Sequence, residues 1–264
     1  MSRDLSLDVY STGNKIKKQN KNKNNRTKKN WAGHIWTCLS GKVFFFHLVS
    51  LLIFSDCQNP IDLAFVLDSS GSVSQANFQL GLQFIVRVCE YFDIGYPHGT
   101  RIAVIRYSSA ASILIRFNTY INKEDVLNAI RAIPRQVGST RTDLALLLAN
   151  RELFNNSDNG VRPKDLGVPR VLVLLTDGRS TSGIKKVIEQ SDLLRQEGVN
   201  IFAMGIGRNI NNDELNIIAS DPDVDHVFYP KTYAEVNSMV EKMREASCYG
   251  EYYFKVLSCT AVII

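Results

Sequence analysis

The stretch "DLAFVLDSSGSVS", residues 62–74, opens with an apolar run that stops at Asp68 and continues in small polar side chains. Apolar residues at odd and even positions alike mark "IDLAFVL" (61–67) as a strand covered on both faces, the pattern of a parallel sheet between helices. A second run of the same kind, "PRVLVLLTD" at 169–177, also ends in an aspartate. Between and after these two runs the chain alternates strand and helix. Phe78, Leu82, Ile85, Val86, Cys89 and Phe92 share one helical stripe. "RIAVIRYS" and "ASILIRF" are strands joined by too short a connection for a crossover, so they pair antiparallel. "KEDVLNAIRAI" and "RTDLALLLANRELF" read as helices, as does the segment carrying Ile184, Val187, Ile188, Ser191 and Leu194. "VNIFAMGIG" and "HVFYP" read as strands. "NDELNIIAS" is a short helix whose acidic start suits its positive end. Val236, Met239, Val240 and Met243 mark the last helix. The whole predicts an α/β fold: an open, mostly parallel sheet with one antiparallel edge strand and helices on both faces.

In such a sheet ligands gather at the carboxyl ends of the strands, near the point where strand order reverses. Asp68 and Asp177 both stand on that rim. Asp68, Ser70 and Ser72 occupy alternate positions around Gly71, so their oxygens can converge. By itself this pattern more often means helix capping than a metal, since Asp and Ser commonly start the helix after a strand. "TDGRS" and "GSTRTD" are likewise ordinary turns when taken singly. Three oxygen-bearing loops on one rim change that balance. Hydroxyls and carboxylates without His or Cys favour a hard cation, Mg2+, with Mn2+ or Ca2+ as substitutes. His98 and His226 lie in other segments, so zinc lacks its usual ligands. Asp68, Ser70, Ser72, Thr140 and Asp177 complete an octahedron only with water or an outside ligand.

The segments "DLAFVLDSSGSVS", "GSTRTDLAL" and "PRVLVLLTDGRS" resemble the three metal-site segments of the von Willebrand factor type A (vWA) domain, particularly those of matrilins, cochlin and the collagen VI type. The resemblance covers residues 57–248. It implies a Rossmann-like sheet topped by a metal-ion-dependent adhesion site. Ser70, Ser72 and Thr140 would meet the metal through hydroxyls, with Asp68 and Asp177 acting largely through water or from behind. The partner implied is a protein with an exposed Glu or Asp, such as collagen or another matrix protein, whose carboxylate completes the coordination. Gain of that ligand would draw in the Asp177 and Thr140 loops and shift the last helix. Ser139 departs from the family pattern, which commonly has a second glycine there, and Arg141 beside Thr140 crowds or tunes the site.

Composition fits an exported module. The 264 residues carry a net charge of +5, but residues 1–42 hold ten Lys/Arg against two Asp, leaving them at +8 and the remainder at −3. A nucleic-acid role therefore finds no support in the folded part. Residues 1–42 read as a disordered basic tail. The apolar "VFFFHLVSLLIF" at 43–54, followed by Ser55, is short for a membrane span and suits a secretory signal, so 43–55 is a signal peptide or a signal-anchor. The expected location is secreted, or membrane-anchored with the vWA domain outside. Residues 249–264 read as a C-terminal tail, with the expectation that it begins something longer. Of five cysteines, Cys57 and Cys248 bracket the domain and suggest a disulfide closing it, worth about 4–5 kcal/mol on the chain-entropy model. Cys89 reads as a buried thiol, and Cys38 and Cys259 are left unassigned. Asn155 heads an N-x-S sequon, as Asn25 heads an N-x-T, making Asn155 a glycosylation candidate. The competing functions are an intracellular vWA assembly module and a metal-dependent enzyme. Against the enzyme, the chain lacks G-x-G-x-x-G in its first turn, a P-loop and a G-x-S-x-G elbow.

Overall fold

The computed structural model describes residues 60–207, 210–230 and 233–248. Six strands form one sheet: β1 (Asp62–Asp68), β2 (Arg101–Tyr107), β3 (Ala111–Ile115), β4 (Arg170–Thr176), β5 (Val199–Gly205) and β6 (Val227–Phe228). Their order is β3-β2-β1-β4-β5-β6. All neighbours are parallel except β2 and β3, the antiparallel edge pair, whose register shifts between Val104 and Ile105. The helices are α1 (Gln75–Glu90), α2 (Lys123–Arg131), α3 (Thr142–Leu148), α4 (Ile184–Gln196), α5 (Asn212–Ile218), α6 (Asp223–His226) and α7 (Tyr233–Cys248).

The two-sided apolar runs work as expected. On β1, Leu63, Phe65 and Leu67 enter a core shared with Phe78, Ile85 and Val88 of α1 and with Met239 and Val240 of α7. The alternate residues Ala64 and Val66 enter the opposite core with Ala145 and Leu146 of α3 and Val187 and Leu194 of α4. Each buried Leu or Phe removed from water contributes about 1.5–3 kcal/mol, so a register slip of β1 would exchange the two cores and lose both. α1 lies close on the sheet at Gly81, where a Cβ would come within 2.9 Å of Leu67 Cδ1. Cys89 is a free, buried thiol, and burial pushes its pKa up.

Several boundaries differ from the sequence expectation. The helix expected over "RTDLALLLANRELF" is α-helical only to Leu148 and continues as a wider π-turn from Ala149 to Phe154. Leu153 and Phe154, at the end of that turn, are both buried. The strand over "HVFYP" shrinks to Val227 and Phe228, because His226 ends α6, a turn the periodicity did not reveal. On α4 the stripe narrows: Val187, Ser191 and Leu194 are buried, while Ile188 is exposed. The tail over 1–42, the apolar segment at 43–55, the Cys57–Cys248 pairing and the tail over 249–264 fall outside the described residues. Among the described residues no helix is long and apolar enough to cross a membrane.

Candidate metal centre

Strand order reverses between β1 and β4, so the crevice beyond their carboxyl ends is the natural ligand position. Leu67 of β1 pairs with Leu175 of β4. That register sets Asp68 beside Thr176, and the loops after the two strands leave the sheet side by side.

Capping does not account for the oxygens of the first loop. The cap of α1 is Ser74, whose side chain accepts from Asn77 N at 3.1 Å. Asp68, Ser70 and Ser72 are thereby left to each other and to the neighbouring loop. Asp68 is 1 % exposed. Its Oδ1 accepts from Ser70 N at 2.8 Å, and its Oδ2 accepts from Thr176 Oγ1 at 2.7 Å. Ser70 Oγ and Ser72 Oγ lie 3.0 Å apart, and Ser72 Oγ donates to Asp177 Oδ1 at 2.8 Å. Four of the five expected ligand residues thus form one hydrogen-bonded chain.

Thr140, the fifth, is brought alongside by main-chain bonds. Gly71 N donates to the Gly138 carbonyl at 2.8 Å, and Ser69 Oγ exchanges bonds with Gln136 O and N at 2.6 and 2.5 Å. On the other side the Thr140 carbonyl accepts from Thr181 N at 2.8 Å, Thr181 Oγ1 at 3.0 Å and Ser180 Oγ at 3.2 Å. The two residues expected to perturb this loop are otherwise engaged. The Ser139 hydroxyl bonds Ser109 Oγ at 3.1 Å, and the Arg141 guanidinium grips both oxygens of Asp143 at 2.8 Å.

The electrostatics are those of an anionic pocket. Burial pushes the carboxyls of Asp68 and Asp177 above the usual range, and for Asp68 the Asp177 carboxylate adds to the effect. Arg135, which donates to the Ser70 carbonyl at 3.2 Å and also to the Val73 carbonyl, offsets part of this at Asp177. A divalent cation would reverse the cost of holding these carboxylates ionised. The spacing suits a small one: ligands about 2.1 Å from Mg2+ in an octahedron are about 3.0 Å from their neighbours. The Ser70–Ser72 separation of 3.0 Å is compatible with that edge and is equally an ordinary hydrogen-bond length. Among the described residues no group of three His, Cys, Asp or Glu is assembled to hold a metal.

Two contributors escaped the sequence reading. Thr176 Oγ1 holds the inner oxygen of Asp68; its place just before Asp177 at the end of a buried strand was the available signal. Glu214 is buried beneath the β4–α4 loop, where both carboxylate oxygens accept from Ser180 N. Its place in an Asn-x-x-Glu start pointed only to a helix cap. Asn155, the glycosylation candidate, is exposed after the π-turn, and its Nδ2 donates to Asn150 Oδ1 at 2.7 Å.

The von Willebrand factor type A domain family profile matches residues 62–242. Matrilin-3 of Gallus gallus is 34% identical over 193 residues, 73% of this chain and 41% of that protein. Matrilin-1 of Gallus gallus is 35% identical over 189 residues, 72% of this chain and 37% of that protein. The chain therefore spans about two fifths of the length of these curated relatives. Among solved structures, proximal thread matrix protein 1 from the mussel byssus, with a zinc-occupied MIDAS motif, superposes with a TM-score of 0.61. It is 29% identical and covers 76% of this chain and 51% of that one. With the reversed strand order, the antiparallel edge and the rim of hydroxyls and carboxylates, these matches agree: the chain belongs to the von Willebrand factor type A domain family.

Proposed function

We propose that residues 57–248 act as an extracellular vWA module that binds a protein ligand through Mg2+ held by Asp68, Ser70, Ser72, Thr140 and Asp177. The observation that carries this reading is the convergence of Asp68, Ser70, Ser72 and Asp177 in one hydrogen-bonded chain across two rim loops, with the Thr140 loop bonded to both. When bound, the cation supplies an electrophilic seat for a carboxylate oxygen. Ser70, Ser72 and Thr140 present neutral hydroxyls that cancel little of its charge, which leaves room for a Glu or Asp from the partner. Asp68 works from behind: its oxygens hold Ser70 N and Thr176 Oγ1, fixing the turn that aims Ser70 and Ser72. Asp177 orients Ser72 and supplies negative charge. The role is binding rather than catalysis.

The matrilin likeness supports a matrix partner such as collagen, and the apolar segment at 43–55 supports export, with the module secreted or held outside by an anchor. Mn2+ is the expected substitute. Zn2+ belongs in the same trial because it occupies the MIDAS motif of the mussel protein.

The test is a binding screen of the full chain against collagens and other matrix proteins, in Mg2+ and in chelator, repeated for Asp68→Ala. A version lacking residues 1–42 controls for attraction to the basic tail. Binding should require the metal and disappear in Asp68→Ala; binding indifferent to both would end the adhesion reading.

A further inference from the structure

Glu214 has a local role available that it does not take. Asn211 precedes α5 as its N-cap and Glu214 stands three residues on, the spacing of a capping box. Yet α5 has no side-chain cap. Glu214 is 2 % exposed and both its oxygens turn to a donor 34 positions away, Ser180 N, at 2.9 and 3.0 Å. Among the described residues it has no ion pair within 4 Å. Burying a carboxylate on a single N–H is costly, and the Arg179 charge offsets only part of the burial.

The donor explains the arrangement. Ser180 lies three residues beyond Asp177, and its hydroxyl donates to the Thr140 carbonyl at 3.2 Å. Thr181, next in the chain, gives two more bonds to the same carbonyl. The β4–α4 loop is thus held between Glu214 on one side and Thr140 on the other. Asp177 and Thr140 approach the site from separate loops, and no bond between their side chains sets their spacing.

We infer that Glu214 is a positioning residue: the reach of its side chain sets where the Asp177 loop stands relative to Thr140, and so fixes the span of the cation site. This rests on the metal reading proposed above. The role belongs to the length of the side chain and its acceptor oxygen, not to its charge.

Two variants separate length from charge. Glu214→Asp keeps the charge but withdraws the oxygens by about one bond length, roughly 1.5 Å. Glu214→Gln keeps the reach and one acceptor oxygen but removes the charge. Mn2+ is titrated calorimetrically into the full chain and each variant, with metal-free thermal unfolding recorded alongside. Residues that orient metal ligands typically alter affinity about 10- to 100-fold when changed. Glu214→Asp should weaken Mn2+ binding about tenfold, and Glu214→Gln should stay within about threefold, as rescue by preserved reach. Should Glu214→Asp fail to fold, Glu214→Met, which keeps the length of the side chain but offers Ser180 N no acceptor, takes its place with an expected loss of about tenfold.

An unaltered affinity in Glu214→Asp, or in its replacement, overturns the inference. So does a loss in Glu214→Gln as large as that in Glu214→Asp, since charge would then be the active property. Lower metal-free stability with unchanged affinity marks a merely structural residue and overturns it too. If the unaltered chain fails to bind Mn2+, the metal reading itself falls. If that chain binds and the variants match it, only the role of Glu214 falls.

Discussion

Ser72 Oγ donates to Asp177 Oδ1 at 2.8 Å, joining residues 105 positions apart. This bond closes the crevice between the β1 and β4 loops, and both partners are proposed to face the cation. Ser72 is exposed and caps no helix, so Ser72→Ala should leave the metal-free domain nearly as stable as before. Affinity for Mg2+ or Mn2+ should fall at least tenfold, about 1.4 kcal/mol. Calorimetric titration of the two proteins checks this, and equal affinities would remove Ser72 from the ligand set.

Gly138 is tightly enclosed two residues before Thr140. A Cβ there would meet Ser109 Oγ at 2.6 Å and Ser109 N at 2.9 Å. The second contact is main chain and cannot swing aside. Gly138→Ala should therefore destabilise the domain by about 1–3 kcal/mol and weaken metal binding by displacing Thr140. Urea unfolding and Mn2+ titration measure the two effects separately.

At Asp143, burial tends to raise the pKa, but bonds from Arg141 and Ser182 outweigh it and hold the folded value below the ordinary 3.8. The folded state therefore binds fewer protons than the unfolded chain between the depressed value and 3.8. Its contribution to stability is fully present above 3.8 and is lost as pH falls through the folded pKa. Arg141 is 32% exposed, so solvent screening limits the pair to about 1 kcal/mol. Asp143→Asn should cost about that much at pH 7. The gap between variant and parent should close on acidification below 3.8, read from unfolding curves taken across that range.

Arg162 and Asp62 form a buried pair at the start of β1, with Nη1 to Oδ1 at 2.5 Å and Arg162 N to Oδ2 at 2.7 Å. The guanidinium also donates to the Pro97 and Gly99 carbonyls. Arg162→Ala strands a carboxylate that is 0 % exposed, and should cost about 3–5 kcal/mol. The double change Arg162→Met with Asp62→Leu should recover much of that loss in chemical denaturation, because desolvating the pair is itself expensive.

Asn155 is exposed, in keeping with an accessible sequon. Expression through the secretory pathway of animal cells should attach a glycan there, seen as a mobility shift removed by amidase treatment. Asn155→Gln should abolish that part of the shift without changing Mn2+ affinity.

Much of this architecture was written in local pattern. Leu63 to Leu67 announced a strand buried on both faces, and the short link between "RIAVIRYS" and "ASILIRF" announced the antiparallel pair. The convergence of Asp68, Ser70, Ser72 and Asp177 was legible because each lies at or just beyond the end of a strand whose direction the alternation fixes. Glu214 was not, because its partner Ser180 belongs to another loop and its own neighbourhood offered a complete local explanation. Arg162 and Asp62 were hidden for the same reason: 100 positions separate them, and nothing in either segment's periodicity pairs them. The π-turn at Ala149–Phe154 escaped because its residues suit an ordinary helix.

The sheet's two outer strands bear on how such a module can be shared. β6 offers two residues, and β3 offers five beside a register shift in β2. Neither presents the long, flat ladder that an incoming peptide needs for β-augmentation. Copies placed in tandem would thus have little tendency to fuse edge to edge, and each would keep its own crevice available to an independent guest.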